Sequence, residues 1–89
     1  MTYETTTSLP PDEVLRQART FFATRVPATA AFPEKEGRSH VVLRGQGGEE
    51  IVFAAMAVPG GSSVRGSTLL FGQQVGRFFT TLPPARAAR

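Results

Sequence analysis

The sequence predicts an α+β fold in which an antiparallel sheet of about four or five strands carries two helices packed on one face. Two observations predict it. Apolar residues recur at helical spacing near both ends of the chain, over residues 12–25 and 71–82. Between them lie short alternating segments separated by glycine-rich turns, which are typical of antiparallel strands. The predicted order is strand, helix, strands, helix.

The opening of the chain predicts the first strand and the first helix. Residues 2–9 are rich in threonine and alternate in polarity, which indicates an edge strand with one weakly apolar face. Asp12 and Glu13 follow two prolines and favour a helix start, because carboxylates are stabilised by the positive end of the helix dipole. The residue before Pro27 is pushed out of the α region, so the helix is expected to end there. Its apolar stripe comprises Val14, Leu15, Ala18, Phe21 and Phe22.

The middle of the chain predicts the remaining strands. Residues 28–32 could form a short strand and residues 33–37 a polar turn. The next strands are expected at residues 39–44, 50–58 and 64–70, separated by hairpin turns at residues 45–48 and 59–63. The strand at 50–58 is apolar on both sides, with Ile51, Phe53, Ala55 and Ala57 on one and Val52, Ala54, Met56 and Val58 on the other. It is therefore expected to be central, with helices over one face and another partner over the second.

A second helix closes the chain. Its apolar stripe comprises Phe71, Val75, Phe78, Phe79 and Leu82. Gly72 and Gly76 lower helix propensity by about 1 kcal/mol each relative to alanine, so packing must hold this helix in place. We expect both helices to cover the same side of the sheet, with a shared core of Leu15, Phe22, Phe53, Val75 and Phe79. The chain of 89 residues is long enough for one domain, expected at residues 1–84 with a basic tail at 85–89.

Composition excludes several classes of protein. The chain has no cysteine, so disulfides, thiolate catalysis and thiolate metal sites are absent. The longest apolar run, residues 51–58, is far short of the roughly 20 residues that a membrane span requires. The first residues form neither the basic nor the apolar part of a signal peptide. A cytoplasmic protein is expected.

No pattern of side chains indicates catalysis, and we expect no enzyme, no cofactor and no metal. His40 is the only histidine, so a histidine cluster cannot form. The carboxylate pairs at residues 34 and 36 and at residues 49 and 50 lie in or beside predicted turns, where solvent keeps both acids alike. The glycines at residues 45–48 are not followed by the lysine and helix of a phosphate loop. The serines and threonines at residues 62–68 lack a base at a suitable spacing.

Charge is unevenly distributed along the chain. All 7 acidic residues lie at or before Glu50, while the rest of the sequence carries Arg65, Arg77, Arg86 and Arg89. A basic half could meet an acidic protein, phosphates or anionic lipid, or could consist of solvated surface arginines. Nucleic-acid binding is not favoured, because the central strand offers Phe53 alone and no flanking arginines.

Three segments carry a family resemblance: Leu9-Pro-Pro-Asp-Glu-Val-Leu15, Ser67-Thr-Leu-Leu-Phe71 and Arg77-Phe-Phe-Thr-Thr-Leu-Pro83. With the order of elements, they resemble a shortened START/Bet v 1-like (helix-grip, polyketide-cyclase-like) domain, with fewer strands and no second short helix. The resemblance implies a last helix that grips a curved antiparallel sheet. It also implies a small apolar ligand, for which the glycines at residues 72 and 76 would leave room between sheet and helix. Close approach of the helix backbone to the sheet would explain the same glycines equally well.

Two function hypotheses follow. The first is a non-catalytic interaction module, either a homodimer or a small accessory subunit of a larger assembly such as a membrane-associated, energy-converting complex, which it would contact peripherally. Its candidate partner-binding residues are Val52, Ala54, Met56, Val58, Arg65, Arg77, Arg86 and Arg89. The alternative is a START/Bet v 1-like carrier or sensor of a small apolar ligand, which rests on the resemblance alone.

Overall fold

The computed structural model describes residues 2–24, 32–45, 48–69 and 71–84, with only the backbone described at 32–34. The elements are β1 (Thr2–Thr7), α1 (Pro11–Thr24), β2 (Phe32–Glu36), β3 (His40–Arg44), β4 (Glu50–Val58), β5 (Gly61–Thr68) and α2 (Gly72–Thr81). The predicted α+β fold with two helices and an antiparallel sheet is confirmed.

One five-stranded antiparallel sheet has the strand order β1-β5-β4-β3-β2. The predicted central position of β4 is therefore confirmed. β4 and β5 pair from Ile51 opposite Thr68 to Val58 opposite Gly61, and only Pro59 and Gly60 lie between them. Gly60 has φ 86°, in the left-handed region that glycine adopts without steric cost.

Both helices pack on the same face of this sheet. Phe53 of β4 contacts Phe22 of α1 and Phe78 of α2, with ring centroids 5.6 and 5.3 Å apart. Leu15, Phe22, Phe53 and Val75 are buried in one cluster, as the sequence predicts. Phe79 is only partly buried, at the border of that cluster, and the adjacent Phe78 fills its centre. The helix rotation thus differs slightly from the one that the stripe predicts.

Two buried hydroxyl groups of the sheet hold the segments that follow β1 and α2. The Thr7 Oγ1 donates to the Pro83 carbonyl at 2.6 Å, and the Ser62 Oγ donates to the Leu9 carbonyl at 2.7 Å. Thr7 and Ser62 face each other across β1 and β5. Because the carbonyls accept these protons, the segments that follow β1 and α2 are held at the same end of the sheet.

The prediction of a polar turn at residues 33–37 is wrong, because these residues belong to β2 up to Glu36. Lys35 and Glu36 pair with β3. Glu36 lies on the helix side of the sheet, where its Oε1 forms an ion pair with the Arg19 Nε at 3.2 Å. The turn comes later, at Arg38 and Ser39, and the Gly37 N–H donates to the His40 carbonyl at 2.8 Å. The strand predicted at 28–32 lies outside the described residues except for its last position.

Two strands begin or end at other residues than the sequence predicts. β5 begins at Gly61 instead of residue 64, because the hairpin turn needs only Pro59 and Gly60. β1 ends at Thr7, two residues before the predicted end.

Neither described helix is both long enough and apolar enough to cross a membrane.

Candidate partner-binding face

The face of the sheet opposite the helices is called the open face here, and its centre is the outer side of β4. Val52, Ala54, Met56 and Val58 point to this side, since their neighbours Ile51, Phe53 and Ala55 point into the core. Met56 is 69% exposed, and Ala54 is exposed as well, while Val52 and Val58 are half-buried. The predicted apolar stripe therefore lies on the middle strand of an uncovered sheet surface among the residues described.

Charged side chains flank the stripe. Arg65 lies opposite Ala54 in the register of β4 and β5, and its Nη2 is 3.4 Å from the Glu4 Oε1 on β1. At the other end of the stripe, the Nη2 of Arg44 on β3 is 3.2 Å from the Oε2 of Glu50 on β4. Ion pairs as exposed as Arg65–Glu4 contribute at most about 1 kcal/mol to stability. The open face therefore has an apolar centre and a rim of positively and negatively charged side chains.

A groove of about 500 Å³ lies at one end of the open face, where β4 extends past β3. His40, the first residue of β3, pairs with Ala54 of β4, and the Ala55 N–H donates to the Ser39 carbonyl at 2.8 Å. Beyond this point β4 continues to Val58, and we call residues 56–58 the β4 overhang. The groove is lined by Glu4, Pro11, Arg38, Ser39, Ala54, Ala55, Met56, Ala57, Ser63 and Arg65.

The structure brings together five of the eight predicted site residues. Val52, Ala54, Met56, Val58 and Arg65 come together on the open face. Arg77 is exposed on α2, on the helix-covered side of the sheet, and so lies apart from them. Arg86 and Arg89 lie outside the described residues.

Arg38 is a groove residue that the sequence prediction missed, because the turn was expected before it. A signal was present, since the apolar run at residues 51–58 has 8 residues and β3 has only 5. Two antiparallel strands of such unequal length leave one end of the longer strand without a neighbour on that side. The groove lies at that end of β4.

The titratable side chains of the described residues are spread over several elements of the fold. In the part of the chain that the structure describes, no group of three or more histidine or acidic residues is placed to hold a metal ion. His40 is exposed, and its ring lies against the backbone of Gly37. The pKa of Glu13 falls to about 2 because Arg16 and then Gln17 donate hydrogen bonds to its carboxylate. This carboxylate lies on α1 and is not one of the residues that line the groove, and its charge is neutralised by Arg16, one helical turn away.

The space between the sheet and α2 is filled by side chains. Gly72 lies against the Tyr3 hydroxyl, and Gly76 is exposed, with no atom within 4 Å of an added Cβ. The interpretation that these glycines leave room on the sheet side is therefore wrong, and Gly72 agrees with the alternative, a close approach of the helix to the sheet. Val75 and Phe78, both fully buried, occupy that space together with Phe53.

Comparisons with protein-family models, curated proteins and solved structures find no match to this chain.

Proposed function

We propose that the chain is a non-catalytic interaction module that binds protein through its open face. The observation that carries this proposal is the exposure of Met56, which lies on the central strand of the sheet and is 69% exposed. A central strand that shows apolar side chains on both faces is typical of a sheet with something packed on each side. The helices account for one side only.

The composition of the open face supports a protein partner. Specific interfaces have an apolar centre and a polar rim, and Val52, Ala54, Met56 and Val58 with their flanking ion pairs follow this pattern. Methionine suits such a surface, because its unbranched thioether adapts to the shape of a partner. Burying these side chains would remove apolar surface from water at about 25 cal/mol per Å².

The module has two forms in this proposal. In one, two copies of the chain pair as a homodimer. In the other, the chain is a small accessory subunit of a larger assembly, for which a membrane-associated, energy-converting complex contacted from the cytoplasm is one setting. Both forms use the same face, so both depend on Met56 and its neighbours.

The carrier alternative has less support. It rests on the resemblance to START/Bet v 1-like domains, and it needs a cavity of roughly 300–1,000 Å³ for an apolar ligand. The position expected for that cavity holds the packed rings of Phe53 and Phe78, 5.3 Å apart between centroids. A ligand there would have to displace core side chains.

Sedimentation velocity tests the proposal directly. The pure chain is measured over a hundredfold range of concentration, and a fluorescently labelled chain is then measured in clarified lysate from its source. We expect a species heavier than the 9.6 kDa monomer in at least one of the two experiments. A homodimer gives it with the pure chain, whereas an accessory subunit gives it only with lysate. A strict monomer in both contradicts the proposal.

A further inference from the structure

The β4 overhang has a free backbone edge. In an antiparallel ladder, successive residues direct their N–H and C=O groups alternately to the two neighbouring strands. The Ala55 N–H points toward β3, where the Ser39 carbonyl accepts it at 2.8 Å. Ala57, two residues further on, therefore points the same way, and β3 no longer lies beside it. Within the described residues, no backbone group pairs with Ala57 on that side.

The groove around this edge is open to both faces of the sheet. Arg65 and Glu4 line it from the open face, while Pro11, the first residue of α1, lines it from the helix side. A strand added beside Ala57 would place alternate side chains on these two sides. The volume of about 500 Å³ falls within the roughly 300–1,000 Å³ of ordinary ligand sites.

Charge selects the direction of such a strand. A peptide that runs antiparallel to β4 lies on the line of β3 and points its C-terminus at the hairpin turn of Arg38 and Ser39. Arg38 is exposed, and no described residue forms an ion pair with it. A terminal carboxylate would meet an arginine there, while the opposite direction would bring an ammonium group to the same arginine.

We propose that the β4 overhang binds the extended C-terminal segment of a partner protein as an added antiparallel strand, with its terminal carboxylate on Arg38. The inference rests on the proposed function, since it identifies the part of a protein partner that reaches the edge of the open face. The Ala57 N–H and C=O provide the main-chain hydrogen bonds, as in other strand-addition sites. Arg38 provides a charge-assisted contact for the terminal carboxylate, for which an internal segment would need an acidic side chain.

A peptide library with free C-termini tests the inference. The full chain is immobilised and selected against random seven-residue peptides displayed with free carboxylates. One enriched peptide is then synthesised as the acid and as the amide. We expect amidation and Arg38→Gln each to weaken binding about tenfold, as loss of one charge-assisted contact predicts. Arg77→Gln, on the other side of the sheet, is the matched control and is expected to leave binding unchanged.

Ala57→Pro tests the main-chain contact. Proline removes the N–H that faces the groove, whereas the β4–β5 ladder uses the neighbouring residues and is kept. We expect about a tenfold loss of peptide binding with an unchanged circular dichroism spectrum. In the parent chain, the Ala57 amide should become protected from hydrogen exchange when the peptide binds.

The outcomes separate this inference from the proposed function. An unenriched library, or an enriched peptide that binds as well after amidation and to the Ala57→Pro chain, overturns strand addition. If the chain still forms a heavier species in sedimentation, the interaction module stands without the C-terminal segment. If no heavier species forms but the peptide binds as described, the open face is overturned and the edge site remains.

Discussion

Gly66 of β5 lies directly beneath Val75 of α2, and a Cβ built on this glycine would lie 3.0 Å from the Val75 Cγ1. The same Cβ would lie 2.9 Å from the Phe53 Cε1. A glycine in the strand therefore lets α2 lie close to the sheet. Within α2, Gly72 also lies against the sheet, at Tyr3 of β1, whereas Gly76 faces outward.

Gly66→Ala and Gly76→Ala should change stability in opposite directions. The first forces Phe53 or Val75 to move, which we expect to lower the free energy of unfolding by about 1–3 kcal/mol. The second adds a methyl group in open space within a helix and should raise it by about 0.5–1 kcal/mol. Urea unfolding of both variants gives the comparison. Equal losses in the two variants would show that α2 does not pack as described.

Phe78→Ala should destabilise the fold more than Phe79→Ala. Phe78 is fully buried, and its ring centroid is 5.3 Å from that of Phe53 and 5.5 Å from that of Phe21. Its truncation is expected to cost about 3–5 kcal/mol, which is enough to unfold a domain of this size. Phe79 is half-buried and should cost about 1–2 kcal/mol. Thermal melts that rank the two variants in the reverse order would contradict the assigned helix rotation.

Glu13 should titrate far below its ordinary range. Its pKa is lowered from 4.5 to about 2, since hydrogen bonds from Arg16 and Gln17 stabilise the carboxylate. A depressed pKa in the folded state gives stability that is fully present above pH 4.5 and is lost as the pH falls through about 2. NMR titration of the carboxyl carbon measures it. Arg16→Gln should raise the pKa toward 4.5, whereas Arg19→Gln, whose partner is Glu36, should leave it unchanged.

Sequence patterns predict the helices and the long strands because burial imposes a period on them. The stripe of α1 and the two-sided apolar pattern of β4 are examples. β2 escaped prediction because an edge strand with a proline and several charges resembles a turn, and only its pairing with β3 identifies it. Phe78 and Phe79 are adjacent on one stripe, so periodicity alone cannot decide which is central.

The candidate site was predictable in part. Alternation along β4 identifies Val52, Ala54, Met56 and Val58 as one face, because strand periodicity is local. The unequal lengths of the two segments signal an unpaired end of β4, but they do not say which end it is. That depends on the register of β3 against β4 and on the position of Arg38 in the turn, which are set by long-range pairing and not by local propensity.

The most direct test of the open face compares Met56→Lys with Ala23→Lys. Met56 is 69% exposed on the open face, and Ala23 is exposed on α1, on the helix-covered side of the sheet, so each variant places one charge at an exposed apolar residue. Sedimentation velocity then measures the heavier species of the parent chain, alone or with lysate. We expect Met56→Lys to abolish that species, because a lysine at the centre of the stripe would have to be desolvated without a partner, and Ala23→Lys to keep it. Retention of the heavier species in Met56→Lys would contradict binding through the open face.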